Sequence, residues 1–504
     1  MFSCKTETNA EKNRPTLEYD LRLSHDQNLF PFYHGVASGD PTQTSVVLWT
    51  KVTDENIVDD IEVSWEISPD TRFKSLVSSG VLKTGPENDY TVKVNVEGLR
   101  PNRKYYYKFN YAGISSIKGT TRTLPRSTNE IKLAIASCSN YEAGYFNAYN
   151  QLAYSKDINT VIHLGDYIYE YARGVYGDKD LDKRKHMPPH EILSLKDYRT
   201  RYSQYRLDKD LLMLHARHPF ISIWDDHEIA NNAFLDGAEN HQADEGDYPK
   251  RVMAAKKAYY EWMPINLKED GHLYRSFDYG NLLKLIMLDE RLAGRTAPVS
   301  SIDDPNFNNE DRKMLGDQQM EWLKAEISNS NAKWIVIGNQ VMFSDYIADE
   351  KGAVNLDAWD GYPKEKNELI QFLEQLKNEQ NIIFATGDTH TSWAAEIPTT
   401  RKAYEEDSSK SVGVEFGVQS ITSANYDEGN GTDYAKEKEA LVKKLNPHLK
   451  YTNFRDHGYL LLTINNEEAK AEFVHFSNIE EPIPEVSSKK TIRVKSGTRE
   501  IILD

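Results

Sequence analysis

Six apolar runs in this sequence each end in residues that can hold a metal ion or carry charge. KLAIAS leads into Cys138-Ser139-Asn140, TVIHL into Gly165-Asp166-Tyr167-Ile168-Tyr169, and FISIW into Asp225-Asp226-His227-Glu228. LLKLIML leads into Asp289-Glu290-Arg291, KWIVI into Gly338-Asn339-Gln340, and NIIFAT into Gly387-Asp388-Thr389-His390. In open α/β sheets, ligands bind outside the carboxyl ends of the strands. Any one of these motifs is a routine strand end. Six in succession read as a single site.

The donor types narrow the chemistry. Tyrosine is a rare ligand because a hydroxyl pKa of about 10 must be overcome, which a strongly Lewis-acidic ion such as Fe³⁺ can do. Cys138 would bind as a thiolate, whose formation such an ion also favours. Asp and Asn oxygens suit harder divalent ions such as Ca²⁺ or Mg²⁺. The mix points to a heteronuclear site, trivalent on one side and oxygen-bound divalent on the other. A nucleophilic role for Cys138 of the Cys-x₅-Arg kind is excluded, because position 144 is Gly144.

Such a site needs a sheet covered on both faces. The six runs are apolar on both faces, as strands between helical layers are. Stretches 249–263, 317–327 and 364–378 read as helices, and 411–475 returns to strand texture in VGVEFGVQSI, HGYLLLTI and AKAEFVHF. Ahead of the site, SVVLWTKV, IEVSWEIS, YTVKVNVEG and KYYYKFNYAG recur between turn signals such as Gly39-Asp40-Pro41 and Ser68-Pro69-Asp70. Short strands so spaced predict an antiparallel sandwich.

Bulk properties set outer limits. A chain of 504 residues suits two domains. A formal net charge of −17 argues against nucleic acid or an anionic membrane surface as the main partner. The only two cysteines, Cys4 and Cys138, exclude a disulfide framework. No run approaches the ~18 apolar residues of a membrane span. Phe2-Ser3-Cys4 before a polar stretch resembles the cleavage end of a bacterial lipoprotein signal whose apolar region is missing, so lipidation of Cys4 and an extracytoplasmic (periplasmic or cell-surface) location are expected. The bland reading is a surface cysteine in a frayed terminus.

HLGDYIYE, WDDHEIANN and TGDTHTSW, in that order, with ASCSN before them and IGNQ between the last two, resemble the PhoD-like alkaline phosphatase and phosphodiesterase family. That family is a distant relative of the purple acid phosphatases among calcineurin-like metallophosphoesterases. FYHGVASGDPTQTSVVLWTKV resembles its N-terminal β-sandwich. The fold this implies is α/β, a four-layer α/β/β/α metallophosphoesterase domain after a small antiparallel β-sandwich. The expected division is a polar tail at 1–28, the sandwich at 29–126, the catalytic domain at 127–480 and an extension at 481–504.

The resemblance also implies roles. Asp166 would bridge two metals, and Cys138, Tyr169 and His390 would bind Fe³⁺. Asp226, Asn339 and Asp388 would bind the second ion; the last two stand where purple acid phosphatases use histidines. Oxygen in place of nitrogen favours Ca²⁺, with Mg²⁺, Mn²⁺ or Zn²⁺ as alternatives. A hydroxide bridging the metals would attack a small phosphate mono- or diester, and His227 would protonate the leaving alkoxide. Diester cleavage of a cell-envelope polymer or phospholipid head group is the neighbouring reading, and an inactive envelope-binding protein the one of another class.

Other residues are assigned blander places. His163, His215, His218 and His457 read as structural. Asp225 reads as a helix cap or a buttress for the ligands, and Asp289 with Arg291 either binds phosphate or forms a buried ion pair. Segments such as 172–200 and 426–450 are expected to wall the pocket.

Overall fold

A computed structural model describes residues 21–177, 181, 184–266, 271–376 and 380–504. Cys4 lies outside them, as do residues 377 and 378 of the helix expected over 364–378 and part of the 172–200 segment.

Two sheets carry the site. The first has ten strands in the spatial order Ile502–Leu503, Ser488–Lys495, Glu468–Phe476, His457–Asn465, Glu130–Ala136, Thr160–His163, Pro219–Ser222, Val36–Gly39, Val46–Lys51 and Thr91–Val96. The second has seven: Arg275–Tyr279, Leu283–Met287, Trp334–Asn339, Asn381–Thr386, Ser411–Gly417, Ser392–Pro398 and Leu449–Asn453.

Period-two alternation explains why both faces of the second sheet are apolar. Leu283, Leu285, Trp334, Val336, Ile383 and Ala385 join the core shared with the first sheet. Their neighbours Ile286, Ile335, Ile337, Ile382 and Phe384 face the opposite way, against helices Asp317–Ser328 and Pro363–Gln375. The outer face of the first sheet is covered by helices that include Leu195–Arg206, Lys209–Arg217 and Tyr248–Trp262. The result is the α/β/β/α order. Segment 411–475 is not all strand: helix Thr432–Leu445 interrupts it, packing Ala435 and Val442 into the outer core.

The sandwich is present, and one of its sheets continues into the catalytic sheet. Val36–Gly39 pairs in parallel with Pro219–Ser222, with Ser38 opposite Pro219. Across from it stands the third sheet, Ser78–Thr84, Ile61–Ser68, Lys104–Tyr111 and Ile114–Ser115, with Gly119–Arg122 also pairing Lys104–Tyr111. Leu48, Val63, Trp65, Ile67, Tyr107 and Phe109 fill the space between.

Pairing directions position the chemistry. Glu130–Ala136, Thr160–His163 and Pro219–Ser222 are parallel neighbours, as are Leu283–Met287, Trp334–Asn339 and Asn381–Thr386. All six runs singled out in the sequence therefore end at the same edge of their sheets.

Candidate metal centre

Cys138, Asp166, Asp388 and His390 all have left-handed backbones, with φ of 57°, 54°, 58° and 62°. For residues other than glycine this costs roughly 1–3 kcal/mol each and persists only where the surroundings impose it. The surroundings here are specific. Glu228 accepts the backbone N–H groups of Asp166 (3.0 Å), Tyr167 (2.6 Å) and Asp225 (2.8 Å), clamping two strand ends together. Ser139 N–H donates to the Asp166 carbonyl at 2.9 Å and its hydroxyl to that of Tyr167 at 3.0 Å. Gly165, at φ 109°, must be glycine: a Cβ there would meet the Asp225 nitrogen at 2.4 Å.

Three overlapping groups of donors result. Cys138, Asp166 and His390 form one, Asp166, Asp226 and His227 the second, and Asp225, Asp226 and Asp388 the third, each with its donor atoms within 4.8 Å of one another. Asp166 and Asp226 are shared. Tyr169 joins the first group: its hydroxyl donates to Asp166 Oδ2 at 3.0 Å, accepts from Ser423 Oγ at 2.5 Å and lies 3.5 Å from His390 Nε2.

The residues fit metal ions. Asp166 Oδ1 and Asp225 Oδ2 are buried carboxylate oxygens with no hydrogen-bond partner among the described residues, which in a native site calls for an explanation. His390 Nδ1–H donates to the Ala424 carbonyl at 2.9 Å, which leaves Nε2 as a lone pair facing Tyr169. Burial, then the charge of Asp166, pushes the Tyr169 hydroxyl and the Cys138 thiol well up. Only a strong Lewis acid would displace those protons.

Arg291 supplies fixed positive charge opposite. It is fully buried, with Nε 2.5 Å from Asp225, Nη1 2.8 Å from Asp357, and Nη2 3.4 Å from Asp388 and 3.6 Å from Asp226. Burial and the charges of Asp226 and Asp388 nevertheless push Asp225 up to about 8. Burial with Asp357 and Asp226 pushes Asp388 up to about 7. Asp226 goes the other way: burial raises it, but Arg291, His227 and the Asn232 N–H outweigh that. Asp289 does not pair with Arg291; its Oδ1 caps the local turn through the Arg291 and Leu292 N–H groups and takes the Trp224 indole at 2.9 Å.

His227 stands at the other side. Its Nδ1–H donates to Glu170 Oε2 at 2.7 Å, and Glu170 Oε1 accepts from Asn231 N–H and the Asn240 amide, both at 2.8 Å. Burial lowers the His227 pKa, but Asp226, Glu170 and Asp166 override it and hold the ring well above its usual value. Tyr169, Tyr171 and Tyr176 surround the ring at centroid distances of 4.2, 5.4 and 6.3 Å.

Asn339 is placed differently from the other predicted ligands. Its amide nitrogen donates to the Val341 carbonyl and, at 3.1 Å, to Thr386, and its Oδ1 accepts the Trp359 indole at 3.3 Å. All of these partners lie outside the three donor groups. His163, as expected of a core residue, is buried with Nε2 2.8 Å from the Tyr149 hydroxyl. Glu170 and Glu228 are given no role by the sequence reading, although both lie within its motifs, the first in HLGDYIYE and the second in WDDHEIANN.

A cavity of 260 Å³ adjoins Asp388. Tyr426 and Leu449 come from the expected 426–450 segment, but much of the wall comes from 342–360, which carries no such signal in the sequence. From the 172–200 segment, Tyr176 borders the centre itself, its hydroxyl 3.5 Å from His390 Nδ1.

Comparison with known proteins gives the family. The family profile described as "PhoD-like phosphatase" matches residues 133–473, and "PhoD-like phosphatase, N-terminal domain" matches 20–125. Alkaline phosphatase D of Bacillus subtilis (strain 168) is 34% identical over 511 residues, spanning 96% of this chain and 84% of that protein. The solved structure of PhoD superposes with a TM-score of 0.85 at 33% identity, covering 95% of this chain and 93% of that one. This chain belongs to the PhoD-like phosphatase family and is a phosphoric ester hydrolase.

Proposed function

We propose that this enzyme hydrolyses phosphate mono- or diesters with metal ions held in the overlapping donor groups, and that it acts outside the cytoplasm. The observation that carries the reading is the sharing of Asp166 and Asp226 between neighbouring groups. Cys138, Tyr169, His390 and Asp166 would hold a trivalent ion such as Fe³⁺. Asp226 and Asp388, with Asp225 beside them, would hold a divalent ion such as Ca²⁺. Asn339 Oδ1 accepts the Trp359 indole at 3.3 Å and keeps a second lone pair, with which it would complete this side. Bound ions would neutralise the phosphate and acidify the attacking water.

The protein's own groups do the rest. Glu170 fixes the His227 ring and its tautomer, so that Nε2 is the nitrogen free to give a proton to the leaving alkoxide. The three tyrosines keep bulk water off that ring. Glu228 and Gly165 hold the left-handed turn at Asp166 against Asp225, which brings the two strand ends together.

The test is metal analysis of the purified enzyme, followed by kinetics on esters of graded leaving-group pKa. His227→Ala should slow esters of poor leaving groups by ~10²–10⁴-fold and activated aryl esters far less. Equal losses on both would remove the acid role. Full activity in protein stripped of metal would remove the metal mechanism.

A further inference from the structure

The cavity beside Asp388 bears on which ester is cut, an inference that rests on the phosphoesterase reading. Its walls are aromatic: Tyr346, Trp393, Tyr426 and Phe454 line it. The Tyr426 and Phe454 rings stack at 4.9 Å and 23°. The Trp393 indole N–H is spent on Thr389 Oγ1 at 3.0 Å, so Trp393 offers ring surface rather than a donor.

Charge in the cavity is of one sign and mostly spent. Of its two carboxylates, Asp388 belongs to the metal centre. Asp360 is bonded to Lys366 Nζ at 2.6 Å and to the Tyr346 N–H at 3.0 Å. None of the described residues that line the cavity is Lys, Arg or His. A ligand with a second phosphate or a carboxylate would therefore meet acid and aromatic faces with no cation to pair it, a costly burial.

Size sets the other bound. Cavities of about 150 Å³ hold benzene, and drug-sized ligand sites begin near ~300 Å³. At 260 Å³ this one has room for a single substituted ring or a short branched chain. It also lies beyond the carboxyl ends of Trp334–Asn339 and Asn381–Thr386, on the side where Asp388 faces the metal centre.

We propose that this cavity is the subsite for the alcohol part of the ester, and that it selects compact, uncharged, ring-bearing or branched apolar groups over anionic ones. Tyr346, Trp393, Tyr426 and Phe454 are its specificity-determining residues.

Non-hydrolysable phosphonates separate this selection from leaving-group reactivity. Inhibition constants of phenylphosphonate, methylphosphonate and phosphonoacetate would be measured against hydrolysis of one chromogenic ester by the metal-loaded enzyme. Phenylphosphonate should bind at least about ten-fold more tightly than either of the others, the size expected of one or two aromatic contacts. Ala348→Phe, which fills the cavity from its wall, should abolish that preference and leave the methylphosphonate constant unchanged; Tyr426→Leu should reduce it several-fold, with melting curves confirming the fold of both. Equal binding of all three phosphonates, tighter phosphonoacetate, or a preference untouched by both variants would overturn the subsite while leaving the phosphoesterase reading intact. A metal-loaded enzyme that cleaves no phosphoester would overturn both.

Discussion

Arg291→Met removes the guanidinium that faces Asp225, Asp226 and Asp388, and that shares Asp357 with Arg295, while keeping a side chain of similar length. In the native protein Arg291 is fully buried with these carboxylates 2.5–3.6 Å away. Removing one partner of a buried ion pair costs about 3–5 kcal/mol. Unfolding entropy near ~2.1 cal/mol/K per residue over 504 residues amounts to about 1 kcal/mol per degree. The variant should therefore melt roughly 3–5 °C lower in chelator by calorimetry.

The loss depends on pH in a defined direction. Asp225 and Asp388 sit at about 8 and about 7, above an unfolded carboxyl. The native state then binds more protons than the unfolded chain, so stability falls as pH rises from near 4 through those values. Without Arg291 both groups move higher still and escape the penalty by protonation at neutral pH. The gap between variant and parent should thus be widest at pH 9. Added Ca²⁺ should narrow it, because a divalent ion at Asp225, Asp226 and Asp388 supplies the missing charge. No melting difference in chelator at pH 9, or a gap that calcium leaves unchanged, would refute the electrostatic account.

Tyr169→Phe should abolish a visible tyrosinate-to-Fe³⁺ absorption band in the iron-loaded protein; a band that survives the change removes Tyr169 from the ligand set. Gly165→Ala places a methyl 2.4 Å from the Asp225 nitrogen at a φ of 109° and should cost several kcal/mol, read as a lower denaturation midpoint together with reduced metal content. Glu170→Gln keeps the shape but loses the charge that fixes His227, and should lower kcat on poor-leaving-group esters by about 10–100-fold with metal content unchanged. Mass spectrometry of the native protein should find a lipid on Cys4, and an unmodified Cys4 would end the lipoprotein reading.

The parts of the fold legible in the sequence are those with strong periodicity. The strand read as IEVSWEIS is Ile61–Ser68, and NIIFAT is Asn381–Thr386, because turn residues bound an unbroken apolar or alternating run. Helix Leu195–Arg206 is hidden in the sequence because its buried face is built from Tyr198, Arg201, Tyr202 and Tyr205 rather than aliphatic residues. Donor residues at strand ends are legible because parallel pairing forces those ends to one edge. The clamp by Glu228 and the partners of Arg291 are not, since both span some 60 residues: Glu228 reaches Asp166, and Arg291 reaches Asp225. For Asn339 the motif is legible in the sequence but its neighbours are not. Its position in the motif is that of a ligand, yet a tryptophan from a separate loop engages its oxygen.

The parallel junction between Val36–Gly39 and Pro219–Ser222 has a consequence for how the chain is made. The sandwich's edge cannot find its neighbour until roughly 180 further residues have been synthesised, which takes about 10–35 s at ordinary ribosome speeds. Until then Val36–Gly39, every residue of which is buried in the finished protein, presents an unpaired edge to whatever is nearby. Glu130–Ala136 waits longer still, for His457–Asn465. N-terminal truncation would strip a neighbouring strand from the same sheet whose end carries Asp225 and Asp226.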